Sequence, residues 1–325
     1  MSKIFKWGVI GTGGIARAFA KDLELSDGHR VTHFGSRTLL KAEALARDFG
    51  ATPLAGYDNL VNADVDAIYI ATPHSTHSQN AILALSAGKP VLVEKPFSGN
   101  AQQASEMIEA ANLHHVPLME AMWSRFLPNF IRLREIVNSG AIGQIISVQA
   151  DHGQPLPKDP YFRLHAPELA GGALLDLGVY PISLASMLLG RPVKIMSQGE
   201  INEAGVDSQT SMIFAYKNGA QAILTTTLLV RTPCIATIVG TLGRVEIDSN
   251  FYTPTSMRTI IKGETIEYPN TYVGHGLREQ ALAFEAVIKS GDIESKIMSH
   301  NESLEIMETM DEIRKQIGLK YPFEV

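Results

Sequence analysis

Three observations predict a two-part α/β chain. Strand-like and helix-period segments alternate from the first residues to about 121. Strand-like runs then follow one another without helices from about 193 to 268. The 325 residues also exceed what a single core usually holds. The first pattern implies a parallel sheet covered on both faces, and the second a large, mostly antiparallel open sheet within an α+β domain. The division is expected at residues 1–121 and 122–325.

In the first part the strand candidates are Ile4–Ile10, Arg30–Gly35, Asp66–Ala71, Val91–Val93 and Val116–Met119. Between them Ile15–Leu25, Leu39–Phe49, Thr76–Ala87 and Ala101–His114 are rich in good helix formers. Gly88-Lys89-Pro90 punctuates one crossover, with glycine as the helix stop. After about residue 120, Pro128–Asn138 reads as a helix and Gly143–Ala150 as a strand, and Gly171–Leu189 as a glycine-rich start followed by an apolar helix. Val193–Glu200, Thr210–Tyr216, Ala220–Leu229, Ile235–Thr241, Arg244–Asp248 and Arg258–Ile261 read as strands. The turns Lys217-Asn218-Gly219 and Leu242-Gly243 separate some of them. Two helices close the chain. The last opens on the capping-box pattern Ser299-His300-Asn301-Glu302, stops at Gly318, and is a candidate to pack back on the first domain.

Composition narrows the function classes. A net charge of -6 argues against nucleic acid or an anionic membrane surface as the main partner. One cysteine, Cys234, excludes an internal disulfide and a cysteine-based zinc site. No run reaches the ~18 to 20 continuous apolar residues of a membrane span. The strand pattern begins almost at the first residue, so no secretory leader is expected. A cytoplasmic protein is the expectation.

The chemistry concentrates in a few segments. Gly11-Thr12-Gly13-Gly14-Ile15-Ala16 follows a strand and opens a helix, the context of a dinucleotide fingerprint and hence of a Rossmann domain. Gly11 permits the tight turn, Gly13 the close approach of a pyrophosphate and Ala16 close helix–sheet packing, while Gly14 and Ile15 begin the helix whose N-terminus favours phosphate. An NAD site expects an acidic residue about 20 residues further on. Here the second strand ends in Ser36-Arg37-Thr38, which suits the 2′-phosphate of NADP; the other reading is a solvated Arg37 at a helix start. Thr72-Pro73-His74 with His77 ends a later strand and should line the same crevice. His74 and His77 lack a third ligand nearby, so ribose bonding or helix capping is expected rather than metal.

Glu94-Lys95-Pro96 follows the apolar run Val91-Leu92-Val93, placing a lysine where open α/β sheets bind ligands. Asp176 and Tyr180, four apart after Gly171-Gly172, share a helix face. A phenol ionises near ~10 and needs a neighbouring ammonium to exchange protons at neutral pH. Two readings of Tyr180 are open, a proton relay and a packed phenol bonded to a carboxylate. Trp123 and Arg125 sit at the expected domain junction, where they either contact substrate or pack the interface.

Together Gly11-x-Gly13-x-x-Ala16, Ala71-Thr72-Pro73 with His77, Glu94-Lys95-Pro96 and Gly171-Gly172-Ala173 leading into Asp176-x-Gly178 resemble the Gfo/Idh/MocA family over essentially the whole chain. The resemblance implies a Rossmann domain, and a C-terminal domain whose open sheet mediates dimers or tetramers. It also implies that Lys95 lies beside the nicotinamide and that the crevice takes a small molecule with a hydroxyl or carbonyl. Sugar and inositol dehydrogenases of the family usually carry histidine where this chain has Tyr180. Tyrosine there, with Met119–Phe126, resembles the dimeric dihydrodiol dehydrogenase branch, which implies Tyr180 as acid/base, Lys95 as its partner and an arginine at position 37. His152 and Tyr252 stand where that branch builds a wall of bulky aromatics. The expectation is therefore an NADP-dependent dehydrogenase or reductase acting on CH–OH groups. An NAD-accepting sugar or inositol-type dehydrogenase is the second reading, and a non-catalytic cofactor-sensing regulator the third.

Overall fold

The computed structural model describes residues 4–157, 159 and 161–324. Its first half alternates β1 (Phe5–Ile10), α1 (Gly14–Leu23), β2 (His29–Ser36), α2 (Leu39–Phe49), β3 (Thr52–Ala55), α3 (Tyr57–Val61), β4 (Ala67–Ile70), α4 (His77–Ser86), β5 (Val91–Glu94), α5 (Ala101–His114) and β6 (Leu118–Ala121). Among the described residues these strands form one parallel sheet in the order β3-β2-β1-β4-β5-β6. The order reverses between β1 and β4, and right-handed crossovers in opposite directions put α1 and α2 on one face and α4 and α5 on the other.

Two elements here are absent from the sequence reading. β3 holds Pro53 and is partly exposed, as an edge strand allows, and α3 is a single five-residue turn. Neither is long enough to display a period. The last strand also lies later than expected, at Leu118–Ala121 instead of 116–119, which carries Glu120 into the sheet.

The second half comprises α6 (Pro128–Asn138), β7 (Ile145–Gly153), α7 (Val179–Leu189), β8 (Lys194–Ile201), β9 (Asp207–Ala215), β10 (Gln221–Thr227), β11 (Ala236–Gly240), β12 (Gly243–Ile247), β13 (Met257–Ile261) and β14 (Glu264–Tyr268). The sheet runs β14-β13-β12-β11-β7-β10-β9-β8. Its pairs are antiparallel except β7 with β10, which reach each other across the long α7–β8–β9 connection and lie parallel. β14 escaped the sequence reading because its residues are exposed and show no alternation. The glycine-rich segment at 171–189 is not uniformly helical: a π turn at Leu174–Gly178 precedes α7. The stretch Pro167–Leu189 is long and apolar enough to cross a membrane by length and composition, with mean hydropathy 1.6 in its most apolar window, although Glu168 and Asp176 interrupt it. Its most apolar part is 78% buried inside the fold, which identifies a core helix.

The chain closes with α8 (Leu277–Ser290) and α9 (His300–Ile317). Ser299 Oγ accepts the Glu302 N–H at 3.2 Å, as the capping pattern predicts, and Gly318 adopts φ +76° just past the helix. By contacts the chain divides into two compact units. The first is Met1–Phe126 with Val273–Leu304, and the second Leu127–Tyr272 with Glu305–Val325. Thus α8 and the first turn of α9 belong to the parallel-sheet unit.

One carboxylate secures that return. Asp22, buried on α1, accepts the main-chain N–H groups of His275, Gly276 and Arg278 at 2.6, 3.0 and 2.9 Å. These are orphan donors at the start of α8, and the negative charge suits the helix N-terminus. Trp7, Phe19, Tyr69 and Phe284 build the adjoining core, with Phe19 stacked on Tyr69 at 3.9 Å. Asp22→Ala is expected to leave these amides without their acceptor and remove on the order of 3 kcal/mol. Thermal denaturation should show a Tm lowered by about 5 to 10 °C; a Tm within about 1 °C of the parent would mean that solvent satisfies the amides instead.

Candidate active site

In the first unit the chemistry-bearing residues collect at the carboxyl ends of β1, β2, β4 and β5. Gly11 ends β1 with φ +111°, and a Cβ there would overlap the Ala71 carbonyl at the end of β4. Only glycine lets the two strand ends approach this closely. Gly13 and Gly14 are the reverse case: a Cβ on either would meet no atom within 4 Å, so the main chain lies open at the start of α1. Ala16 is fully buried below them. Open glycines, free N–H groups at the first helical turn and Ile15 at its edge form a cradle that fits a pyrophosphate. Ser36 is buried at the end of β2, while Arg37 is exposed beside Tyr57.

The β4 and β5 ends are tied together by His77. Its ring is fully buried, with Nδ1 2.8 Å from the Pro96 carbonyl and Nε2 2.9 Å from the Thr72 carbonyl. One imidazole thus spans the Thr72-Pro73 loop and the loop carrying Lys95. Asn80 donates to Thr72 Oγ1 at 3.1 Å. His74 is buried, and its ring lies edge-on to that of His77 with centroids 5.8 Å apart. Glu94 is buried and accepts the Tyr69 hydroxyl across β4 and β5. Lys95 itself is partly exposed at the strand end. No group of three or more His, Cys, Asp or Glu placed to hold a metal occurs among the described residues.

Further along this unit, Trp123 is buried with its ring against His275, centroids 5.2 Å apart. Arg125 is buried and donates to Glu302 at 2.7 Å. Beside it lies Glu120, a carboxylate the sequence reading did not single out. Burial pushes it up from 4.5 to about 7, while Ser303, the Arg125 guanidinium and the Phe97 amide pull it down without closing a full hydrogen bond.

In the second unit Tyr180, His152 and Tyr252 form one aromatic cluster. His152 stacks on Tyr252 at 4.1 Å, Tyr252 lies 4.5 Å from Tyr180, and His152 lies 5.4 Å from Tyr180. Asp176 occupies the π turn one turn before Tyr180 and accepts from Arg163 at 2.9 Å. Arg163 arrives on the loop after β7, which is pinned by the apolar cluster of Leu164, Ala173, Leu177 and Leu228 with Leu156 and Phe162.

Asp207 holds the π turn. Fully buried at the start of β9, it accepts the Leu174 N–H and the Thr210 hydroxyl, both at 2.9 Å. Burial raises it from 3.8 to about 6 against those bonds. Gly172, at φ +109°, admits it: a Cβ there would overlap the Asp207 carboxylate. On the other side Tyr321 donates to the Gly171 carbonyl at 2.6 Å. Sequence reasoning missed Asp207, Tyr321, Arg163 and Gln154, which adjoins His152. None of the four carried a local signal: even Gln154, two residues after His152, lies beyond the end of β7, where strand alternation no longer applies.

Comparison with known proteins agrees with this architecture. Residues 5–122 match the model of an oxidoreductase family with an NAD-binding Rossmann fold, and residues 130–246 match the GFO/IDH/MocA C-terminal domain. The chain is 34% identical over 329 residues to trans-1,2-dihydrobenzene-1,2-diol dehydrogenase of Xenopus tropicalis, covering 98% of this chain and 99% of the relative. It is 33% identical over 365 residues to the NADP(+)-linked D-xylose 1-dehydrogenase of Hypocrea jecorina, covering 98% and 93%. A 3-ketoreductase from Actinomadura kijaniata, solved with NADP and TDP-benzene, superposes with a TM-score of 0.86 at 26% identity, covering 97% and 98%.

The buried carboxylates generate a pH dependence. A carboxyl held above its unfolded value stabilises the fold fully below the unfolded pKa, and that stability is lost as pH rises through the folded one. For Glu120 the window runs from 4.5 to about 7 and the loss is on the order of 3 kcal/mol. Urea unfolding at pH 5 and pH 8 should show Glu120→Gln less pH-dependent than the parent, with its gain confined to pH 8. Equal pH dependence in both proteins would remove Glu120 as the source.

Proposed function

The chain belongs to the Gfo/Idh/MocA oxidoreductase family, and from that premise we propose that it moves hydride between NADP and a hydroxyl-bearing carbon of a small diol, sugar or polyol. The observation that carries this reading is Tyr180, a phenol one turn from Asp176 in a cluster with two further polar rings. NADP supplies the hydride acceptor at its nicotinamide when bound. Residues Gly11, Gly13, Gly14 and Ile15 cradle its phosphates, Ser36 and Arg37 take the 2′-phosphate, and Thr72, Pro73, His74, Glu94 and Lys95 line its nicotinamide half. His77, being buried between two carbonyls, serves this site by holding its loops.

Tyr180 takes the substrate hydroxyl proton during oxidation and returns it to the carbonyl oxygen during reduction. Lys95 supplies the positive charge that favours the phenolate and orients the substrate oxygen. Asp176, one turn before Tyr180 and bonded to Arg163, positions the substrate oxygen or the tyrosine. His152, Tyr252, Trp123 and Arg125 shape the pocket, Arg125 through Glu302. The 33 to 34% identity to dehydrogenases of a dihydrodiol and of D-xylose supports a CH–OH substrate. A cytoplasmic location suits an acidic chain with one buried cysteine.

We also propose that the protein is a homodimer or homotetramer through the open face of the second unit's sheet. Met196, Ile213 and Ile223 lie side by side on β8, β9 and β10 and are 46, 40 and 43% exposed. Such an apolar row suits a second copy of the same sheet.

Two experiments test these readings. Tyr180→Phe and Lys95→Met are each expected to lower kcat by about 10²- to 10⁴-fold with NADP binding nearly unchanged, while Arg37→Ala weakens NADP and leaves NAD unaffected. Near-parental turnover in either of the first two would remove that residue from the chemistry, and equal parental affinity for both dinucleotides would remove the role of Arg37. For the assembly, Ile213→Lys combined with Ile223→Lys is expected to reduce the mass seen by light scattering to that of one chain. An unchanged mass would place the contact elsewhere.

A further inference from the structure

Gln154 lies just beyond β7, with its main chain fixed by the bond from its N–H to the Thr227 carbonyl at 3.1 Å. Its side-chain nitrogen is 2.9 Å from His152 Nε2 and 2.7 Å from Tyr252 Oη. His152 Nδ1 in turn is 3.2 Å from the Leu177 carbonyl. A carbonyl only accepts, so Nδ1 carries the hydrogen; in a neutral ring Nε2 is then an acceptor. The Gln154 amide supplies two N–H donors from one nitrogen and satisfies both Nε2 and the Tyr252 oxygen. Because Tyr252 accepts from Gln154, it directs its own O–H to a different acceptor.

We propose that Gln154 is a positioning residue that sets the His152 tautomer and the donor direction of the Tyr252 hydroxyl beside Tyr180. This rests on the reading of Tyr180 as the proton-exchanging group. The pocket wall then offers a ligand the Tyr252 O–H as donor and the Gln154 carbonyl oxygen as acceptor. A hydroxyl both accepts and donates, so the pair matches a second, non-reacting hydroxyl next to the carbinol being oxidised. An all-apolar wall would bury such a hydroxyl without partners and disfavour the diol.

The discriminating variant is Gln154→Glu, whose carboxylate accepts but does not donate. It should draw a second hydrogen onto His152 and reverse the Tyr252 hydroxyl. Long-range ¹H–¹⁵N spectra of the histidine side chains in the intact protein, with His152 assigned by its loss in His152→Asn, should show a neutral Nδ1–H ring in the parent and a doubly protonated ring in Gln154→Glu. A parental Nε2–H ring, or an unchanged signature in the variant, overturns the proposal. With NADP, Gln154→Leu should raise KM for trans-cyclohexane-1,2-diol about tenfold more than it raises KM for cyclohexanol, with kcat changed less. Equal changes for the two alcohols overturn the hydroxyl-reading role. If the parent oxidises neither alcohol, the oxidoreductase reading fails for them, and the nitrogen signatures, which need no turnover, still decide the role of Gln154.

Discussion

The second unit's site depends on one buried carboxylate. Asp207 takes the main-chain N–H of Leu174 from the space that a side chain on Gly172 would fill, and so sets where the π turn begins. The direction of α7 follows from that turn, and with it the places of Asp176 and Tyr180. A carboxylate out of water is expensive, and Asp207 is held above its ordinary pKa by that cost even with two donors bound. The π turn persists because packing and the Tyr321 hydroxyl over-determine it.

The same device recurs in the first unit with a different outcome. Asp22 meets three amides at the start of α8, a helix that comes more than two hundred residues later in the chain. Glu120, by contrast, lies in a dry position without a completed hydrogen bond, and its burial favours the neutral acid. Three other buried polar groups of this unit each join distant parts of the chain. Asp22 returns the chain to its first sheet, His77 spans two strand ends, and Arg125 anchors the first turn of α9 through Glu302.

How much was legible in the sequence follows from the range of the interaction. The helices Leu39–Phe49, Ala101–His114 and Pro128–Asn138 were readable to the residue because their stop signals and apolar spacing are local. β3, α3 and β14 were not, since a short edge element leaves no period to read. The parallel pairing of β7 with β10 was hidden for another reason: adjacency in the sheet skips two strands and a helix. At the site, glycines and motif residues stood out by type and spacing. Asp207 and Tyr321 looked ordinary because what distinguishes them is burial and a partner far along the chain, and Glu120 because burial alone sets it apart.

By itself the sequence determined the two-part α/β architecture, the glycine-opened cradle after β1, the lysine at the end of β5 and the placement of Asp176 and Tyr180 one turn apart. All of these rest on interactions within a few residues, where spacing translates directly into geometry. Only the tertiary structure decided that His77 lies between two carbonyls, that Asp207 fixes the π turn, and that Gln154 joins His152 to Tyr252. Those contacts bring together groups up to about a hundred residues apart, and a hydrogen bond depends on distance and direction that no local pattern encodes.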